Sequence, residues 1–152
     1  MFVLTLKSKI KKPKKTFAVI LLGAVLIGVA VGITSHIQPD HAECDGVGTY
    51  SLAFRTDEDK QNFLNTFGLL GKVVTVDTVR IPTEFNEVYE RYNKIQKKVG
   101  LDLDGYKGKT VSRFVYKTND DIYVSVLCYR NKVVACHKCT GVYGDDFKSV
   151  ID

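Results

Sequence analysis

Histidine is scarce in this chain, three residues of 152. Only His137 falls inside the stretch expected to fold as a domain. The G-x-S-x-G, P-loop and H-E-x-x-H patterns are absent. A nucleophile elbow, a glycine-rich phosphate cradle and a zincin helix therefore have no carrier. No nucleophile stands at a recognisable spacing from a base. A basic surface is also missing, despite a formal charge of +5. Six of the 22 basic residues are Lys7, Lys9, Lys11, Lys12, Lys14 and Lys15, leaving 16 against 17 acidic residues in the rest of the chain. Nucleic-acid binding needs a basic patch on the folded part, so no nucleic-acid partner is expected.

Charge is absent altogether from Phe17 to Ile33, "FAVILLGAVLIGVAVGI". Extended to Thr16 and Ile37, the segment rises roughly 33 Å as a helix, enough to span a bilayer core. The lysines precede it, and Asp40, Glu43 and Asp45 follow it. The positive-inside rule puts the N-terminus in the cytoplasm and the remainder outside. The lysines would face anionic lipid headgroups. Cleavage would need a shorter apolar core and a clear small-x-small site. Ala30-Val31-Gly32 is a poor one, and Ala42-Glu43 before Cys44 is not a lipobox. The reading is a basic cytoplasmic stub at 1–15, a transmembrane signal anchor at 16–37 and a linker at 38–48. An extracytoplasmic domain at 49–144 and a tail at 145–152 complete it.

In the outer domain, Tyr50, Leu52 and Phe54 alternate as in a short strand. Thr56 is set as an N-cap, with Asp57, Glu58 and Asp59 in the first turn facing the helix dipole. Phe63, Leu64 and Phe67 give that helix its apolar face, and Gly68 ends it. Lys72 to Ile81 is β-branched and extended. After Pro82, Thr83 is placed to cap a second helix. Phe85, Val88, Tyr89, Tyr92, Ile95 and Val99 form its stripe, and Gly100 closes it. Val111 to Lys117, Ile122 to Arg130 and Lys132 to Thr140 read as three successive strands, with turns at Asn119-Asp120 and Asn131-Lys132. The expected fold is α+β, two helices packed on an antiparallel sheet that ends in a three-strand meander.

"VVACHKC" holds two of the four cysteines. A reactive Cys-x-x-Cys pair sits at a helix N-terminus, whereas Cys136 and Cys139 lie on a strand. There, residues i and i+3 point to opposite faces with Cα atoms about 10 Å apart, too far for a disulfide. His137 shares a face with Cys139 only, so four converging metal ligands are not in view. An even number of cysteines outside the membrane suggests a disulfide framework. Two pairings remain: Cys128–Cys136 with Cys44–Cys139, or Cys128–Cys139 with Cys44–Cys136. The first is preferred, because Cys128 and Cys136 flank one turn. In a cell living without oxygen all four would stay as thiols. Asp102-x-Asp104-Gly105 has the start of a calcium loop without its later ligands, and reads as a turn. No cofactor and no bound metal is expected.

A helix ending in Phe67-Gly68 is followed by Ile81-Pro82, Glu84-Phe85, Val88-Tyr89, Tyr92-Asn93 and Gln96-Lys97-Lys98. Tyr106-Lys107-Gly108-Lys109, Tyr116, Lys132-Val133-Val134 and Cys139 come after. Over about Asp57 to Gly141 this pattern resembles an uncharacterised family of small single-pass membrane proteins of Gram-positive, mostly Clostridia-type, bacteria. The connection from Tyr116 to Ile122 is shorter than in that pattern. Cys136 and His137 stand where a small and an acidic residue are expected. The resemblance implies an outer domain of unknown function, and no activity.

The expected function is a membrane-anchored extracytoplasmic module that binds a protein, peptide or wall component and catalyses nothing. The alternative is a thiol-active or metal-binding envelope accessory built on Cys128, Cys136, His137 and Cys139.

Overall fold

The computed structural model describes residues 38–142 and 147–152, and Pro39–Asp152 form one compact unit. The stub and span expected at 1–37 lie outside the described residues. Among those described, no helix is long and apolar enough to cross a membrane. The elements run β1 (His41–Cys44), β2 (Gly48–Ser51), α1 (Asp57–Thr66), β3 (Gly71–Arg80), α2 (Glu87–Lys98), a 3-10 turn (Asp104–Tyr106), β4 (Thr110–Thr118), β5 (Tyr123–Tyr129) and β6 (Lys132–Cys139). β1 and β2 pair as an antiparallel hairpin, and the other four strands form an antiparallel sheet in the order β3-β4-β5-β6. The α+β class therefore holds, with four strands in the closing sheet rather than three. β3 joins it by pairing with β4 from Gly71 opposite Thr118 to Arg80 opposite Thr110, with a bulge between Val73 and Thr75.

α1 starts where its polar residues dictate. Thr56 Oγ1 accepts the Asp59 N–H, and the Asp59 carboxylate accepts the Thr56 N–H, a reciprocal capping box. α2 starts later than Thr83 would place it. Asn86 is its N-cap, accepting the Tyr89 N–H at 3.0 Å. Both helices end before a glycine of positive φ, Gly68 and Gly100. At Gly100 a side chain is also barred by space, since a Cβ would lie 2.2 Å from the Glu43 carbonyl oxygen. That contact fixes α2's C-terminus against β1.

Successive residues of a strand face opposite sides, and the sheet buries both. On one side Tyr116, Val124, Val126, Cys128 and Cys136 pack with Phe63 and Leu64 of α1, Leu52, Phe54 and the β1–β2 hairpin. Phe54 meets Phe63 and Phe114 edge-on, at 5.8 and 5.3 Å between centroids. Each such ring contributes about 1.5–3 kcal/mol by leaving water. On the other side Leu127, Ala135 and Val111 meet Tyr92, Ile81 and Leu103.

The outer edge of β6 is covered in three places. Val133 N–H bonds the Leu52 carbonyl, Cys136 N–H bonds Gln96 Oε1, and Lys138 exchanges two backbone bonds with Lys148. Two sequence expectations are corrected by these contacts. The linker at 38–48 contains β1 and the start of β2, with Ala42 and Cys44 buried. The tail at 145–152 contributes the Lys148 bridge and the buried Ser149 and Val150. Both segments are too short for a periodic signal, and their apolar anchors are single residues.

Candidate functional site

The sheet face beneath α2 carries the polar side chains. Residues two apart on a strand share a face. Cross-strand pairing lines up Asp77, Arg113, Leu127 and Ala135 in one row, and Val115, Ser125 and His137 in the next. Above these rows stands the first half of α2, with Val88, Tyr89 and Tyr92. Phe147 closes one end, its ring 4.9 Å from Tyr92 and edge-on. Between floor and roof lies an open cavity of about 230 Å³, lined mainly by apolar side chains, with Arg80, Arg113, His137, Tyr89 and Tyr92 as the charged or ionisable residues among those described.

His137 is held from above. Its Nδ1 is 2.9 Å from the Tyr92 hydroxyl. Burial pushes its pKa down to about 4, and the nearby Arg113 charge adds to the effect. The ring is therefore neutral at physiological pH. Burial pushes the Tyr92 phenol up. Arg113 donates through Nε and Nη2 to the two oxygens of Asp77, at 2.8 and 2.5 Å. This fork holds the Asp77 carboxyl below its ordinary range. Val88 stays 50% exposed at the pocket mouth although it belongs to the apolar stripe of α2. The buried side of the helix is instead Tyr92, Asn93, Gln96 and Val99.

Two amides on that buried side escape a reading of hydrophobic periodicity. Asn93 donates to Asp102 Oδ1 at 2.9 Å and accepts the Leu103 N–H at 2.8 Å. Lys97 and Lys107 pair with Asp104. The Asp102–Asp104 turn is thus tied to α2 by its own carboxylates. The Asn-x-x-Gln spacing, one helical turn on the face of Tyr92, was the signal available in the sequence.

The cysteines do not form the expected pairs, and all four are free thiols. A two-residue turn at Arg130-Asn131 sets Cys128 opposite Val133, and a bulge in β6 at Val134 sets Cys136 opposite Val126. Cys128 is then only a diagonal neighbour of Cys136, a relation that places Cα atoms about 7–8 Å apart, beyond disulfide reach. Cys44 belongs to the cluster that holds Cys136, whereas Cys139 lies on the other face with His137. The Cys44–Cys139 pair is separated by the sheet itself. Burial pushes the Cys136 thiol up to about 12 and raises those of Cys44 and Cys128. Cys128, Cys136, His137 and Cys139 do not converge. Among the described residues no group of three or more His, Cys, Asp or Glu is placed to hold a metal ion. His137 faces the pocket, and Cys136 faces the core.

No curated protein and no solved structure matches this chain. One family does: residues 63–137 match the model of a domain of unknown function, DUF4830, a stretch that runs from α1 to His137 and carries most of the pocket floor and its helical roof.

Proposed function

We propose that the chain is a membrane-anchored, extracytoplasmic binding module, non-catalytic, whose ligand seat is the pocket between α2 and the sheet. The observation that carries this reading is the pocket's composition. Apolar and aromatic walls surround a few convergent polar groups, which is the make-up of a binding site. The neutral His137 is bonded to Tyr92, and no nucleophile among the described residues is hydrogen-bonded to it. The anchor would be the uncharged segment 16–37, with Lys7 to Lys15 on anionic lipid. The setting would be the envelope of a Gram-positive bacterium. Four free thiols in an outer domain suit a cell that lives without oxygen. The thiol-active or metal-binding alternative is disfavoured, because burial keeps Cys136 protonated and turns it from His137.

The seat is tested by a saturation-transfer screen of small apolar fragments against the full-length protein. A Val88→Trp variant would plug the mouth. Hits that vanish in the variant support the seat, and hits indifferent to it reject it. Carbonate extraction of membranes tests the anchor, since release of the chain into the supernatant would reject it.

A further inference from the structure

With the outer side of β6 covered, β3 is the open edge of the four-stranded sheet among the described residues. Val73, Val74 and Val76 stand exposed along it. Beside them runs an open groove between β3 and α1. Asp57 and Lys60 form its helical bank, and Val73, Val76, Phe114 and Tyr116 line the sheet side. An edge strand next to an apolar groove is a seat for an added strand. The backbone of that strand pairs with the edge, and its alternate side chains enter the groove.

Charge selects which strand. Val76 pairs with Phe114 and so belongs to the α1 side of the sheet. Arg80 stands between Val79 and Ile81 of the α2 side, so alternation points it to the α1 side with Val76. It is exposed and has no ion pair among the described residues. On the same side Asp57 accepts from Lys60 at 3.0 Å through one oxygen only, and its side chain is 98% exposed, so the second oxygen stays open. One half of β3 therefore ends in an unanswered cation, and the other half borders an open carboxylate. An antiparallel copy of β3 brings the two together. With a two-fold axis anywhere from Val76 to Thr78, Arg80 of one copy falls opposite residues 72–76 of the other, the part of β3 beside the groove. Lys72 does not confront it. The bulge leaves Val73 opposite Tyr116 on the α1 side and so turns Lys72 to the α2 side.

We infer that two copies of this chain pair antiparallel through β3, joining their sheets into one, with Arg80 of each copy on Asp57 of the other. Because β6 is covered, the pairing closes at two copies and does not run on as a filament. The inference stands apart from the pocket and its ligand.

Sedimentation equilibrium of the full-length protein in density-matched detergent reads the dimer Kd, and hydrogen exchange reads the Val76 and Thr78 N–H groups. The expected result is a concentration-dependent dimer in which both amides gain protection. Val76→Lys, a charge set into the paired edge, should raise the Kd at least about tenfold. Arg80→Glu and Asp57→Arg should each raise it about tenfold, since two-fold symmetry makes every lost ion pair count twice. The double variant should return it to within about threefold of the parent, because the exchanged charges are again opposite. A dimer unmoved by Val76→Lys is held elsewhere in the chain and overturns the inference. A monomer at every concentration overturns it as well, and amides already protected in that monomer would assign the edge to another segment of the same chain. A double variant no tighter than the singles overturns the Arg80–Asp57 contact.

Discussion

The Tyr92 hydroxyl and the Nδ1 of His137 lie 2.9 Å apart, joining α2 to β6 across the pocket. The bond has a pH consequence. Folded His137 resists protonation down to about 4, chiefly through burial and secondarily through Arg113, whereas an unfolded histidine titrates near 6.5. Between those values the unfolded chain binds more protons, so stability rises with pH. The contribution is complete above about pH 6.5 and is lost as pH falls toward 4, at most about 3 kcal/mol. Urea unfolding from pH 7 to 4.5 should show this slope, and His137→Gln should flatten it. An equal slope in the variant would place the linkage elsewhere.

The thiols offer a second check. Intact mass after alkylation of the unfolded chain should show four modified cysteines, because the strand pairing leaves Cys128 and Cys136 only diagonal neighbours. In the native protein Cys139, the one cysteine that is not buried, should react first. Cys136, fully enclosed with its pKa pushed up to about 12, should react at least about a hundredfold more slowly at pH 8. Two native disulfides in the mass map would overturn the register argument.

Gln96 is wholly buried on α2, and its Oε1 accepts the Cys136 N–H at 2.8 Å while Nε2 has no partner among the described residues. One side chain thus completes the edge of β6. Gln96→Leu removes the orphan amide N–H groups but leaves the Cys136 N–H unpaired. The net expectation is a loss of about 1–3 kcal/mol in urea unfolding. A variant as stable as the parent would mean that the Cys136 N–H finds another acceptor.

These residues mark where the sequence was legible. α1 could be placed from Thr56 and its acidic first turn, because capping is local chemistry. The strands of the meander could be placed from β-branched runs. The buried face of α2 was legible only in part, since Asn93 and Gln96 are polar and a hydrophobic stripe passes them over. Val88 belongs to the stripe yet overhangs the pocket. The cysteine pairings depended on the turn, which is Arg130-Asn131 and not Asn131-Lys132, and on a single extra residue in β6, since one residue of register moves every later side chain to the other face. Nothing local announced the bulge at Val134. Arg113, which shapes the pocket, looked like an ordinary strand residue until β3 brought Asp77 beside it.

β3 supplies the last prediction. It is an edge strand, and unlike β6 it has no cover on its outer side among the described residues. Val73, Val74 and Val76 are 52%, 52% and 59% exposed. Ile81 N–H bonds the Lys109 carbonyl, so by alternation Val79 and Asp77 address β4 while Thr78 and Val76 turn their N–H and C=O groups outward. An exposed apolar edge of this length is a template for pairing with another chain. Val76→Lys should cost no more than about 0.5 kcal/mol, since the side chain is on the surface. It should slow the growth of light scattering when the full-length protein is held just below its melting temperature. Val142→Lys, which charges a still more exposed valine away from the edge, should have no such effect. Equal protection by both variants would mean that net charge controls association. Protection by Val76→Lys alone identifies the β3 edge as the route by which two copies pair.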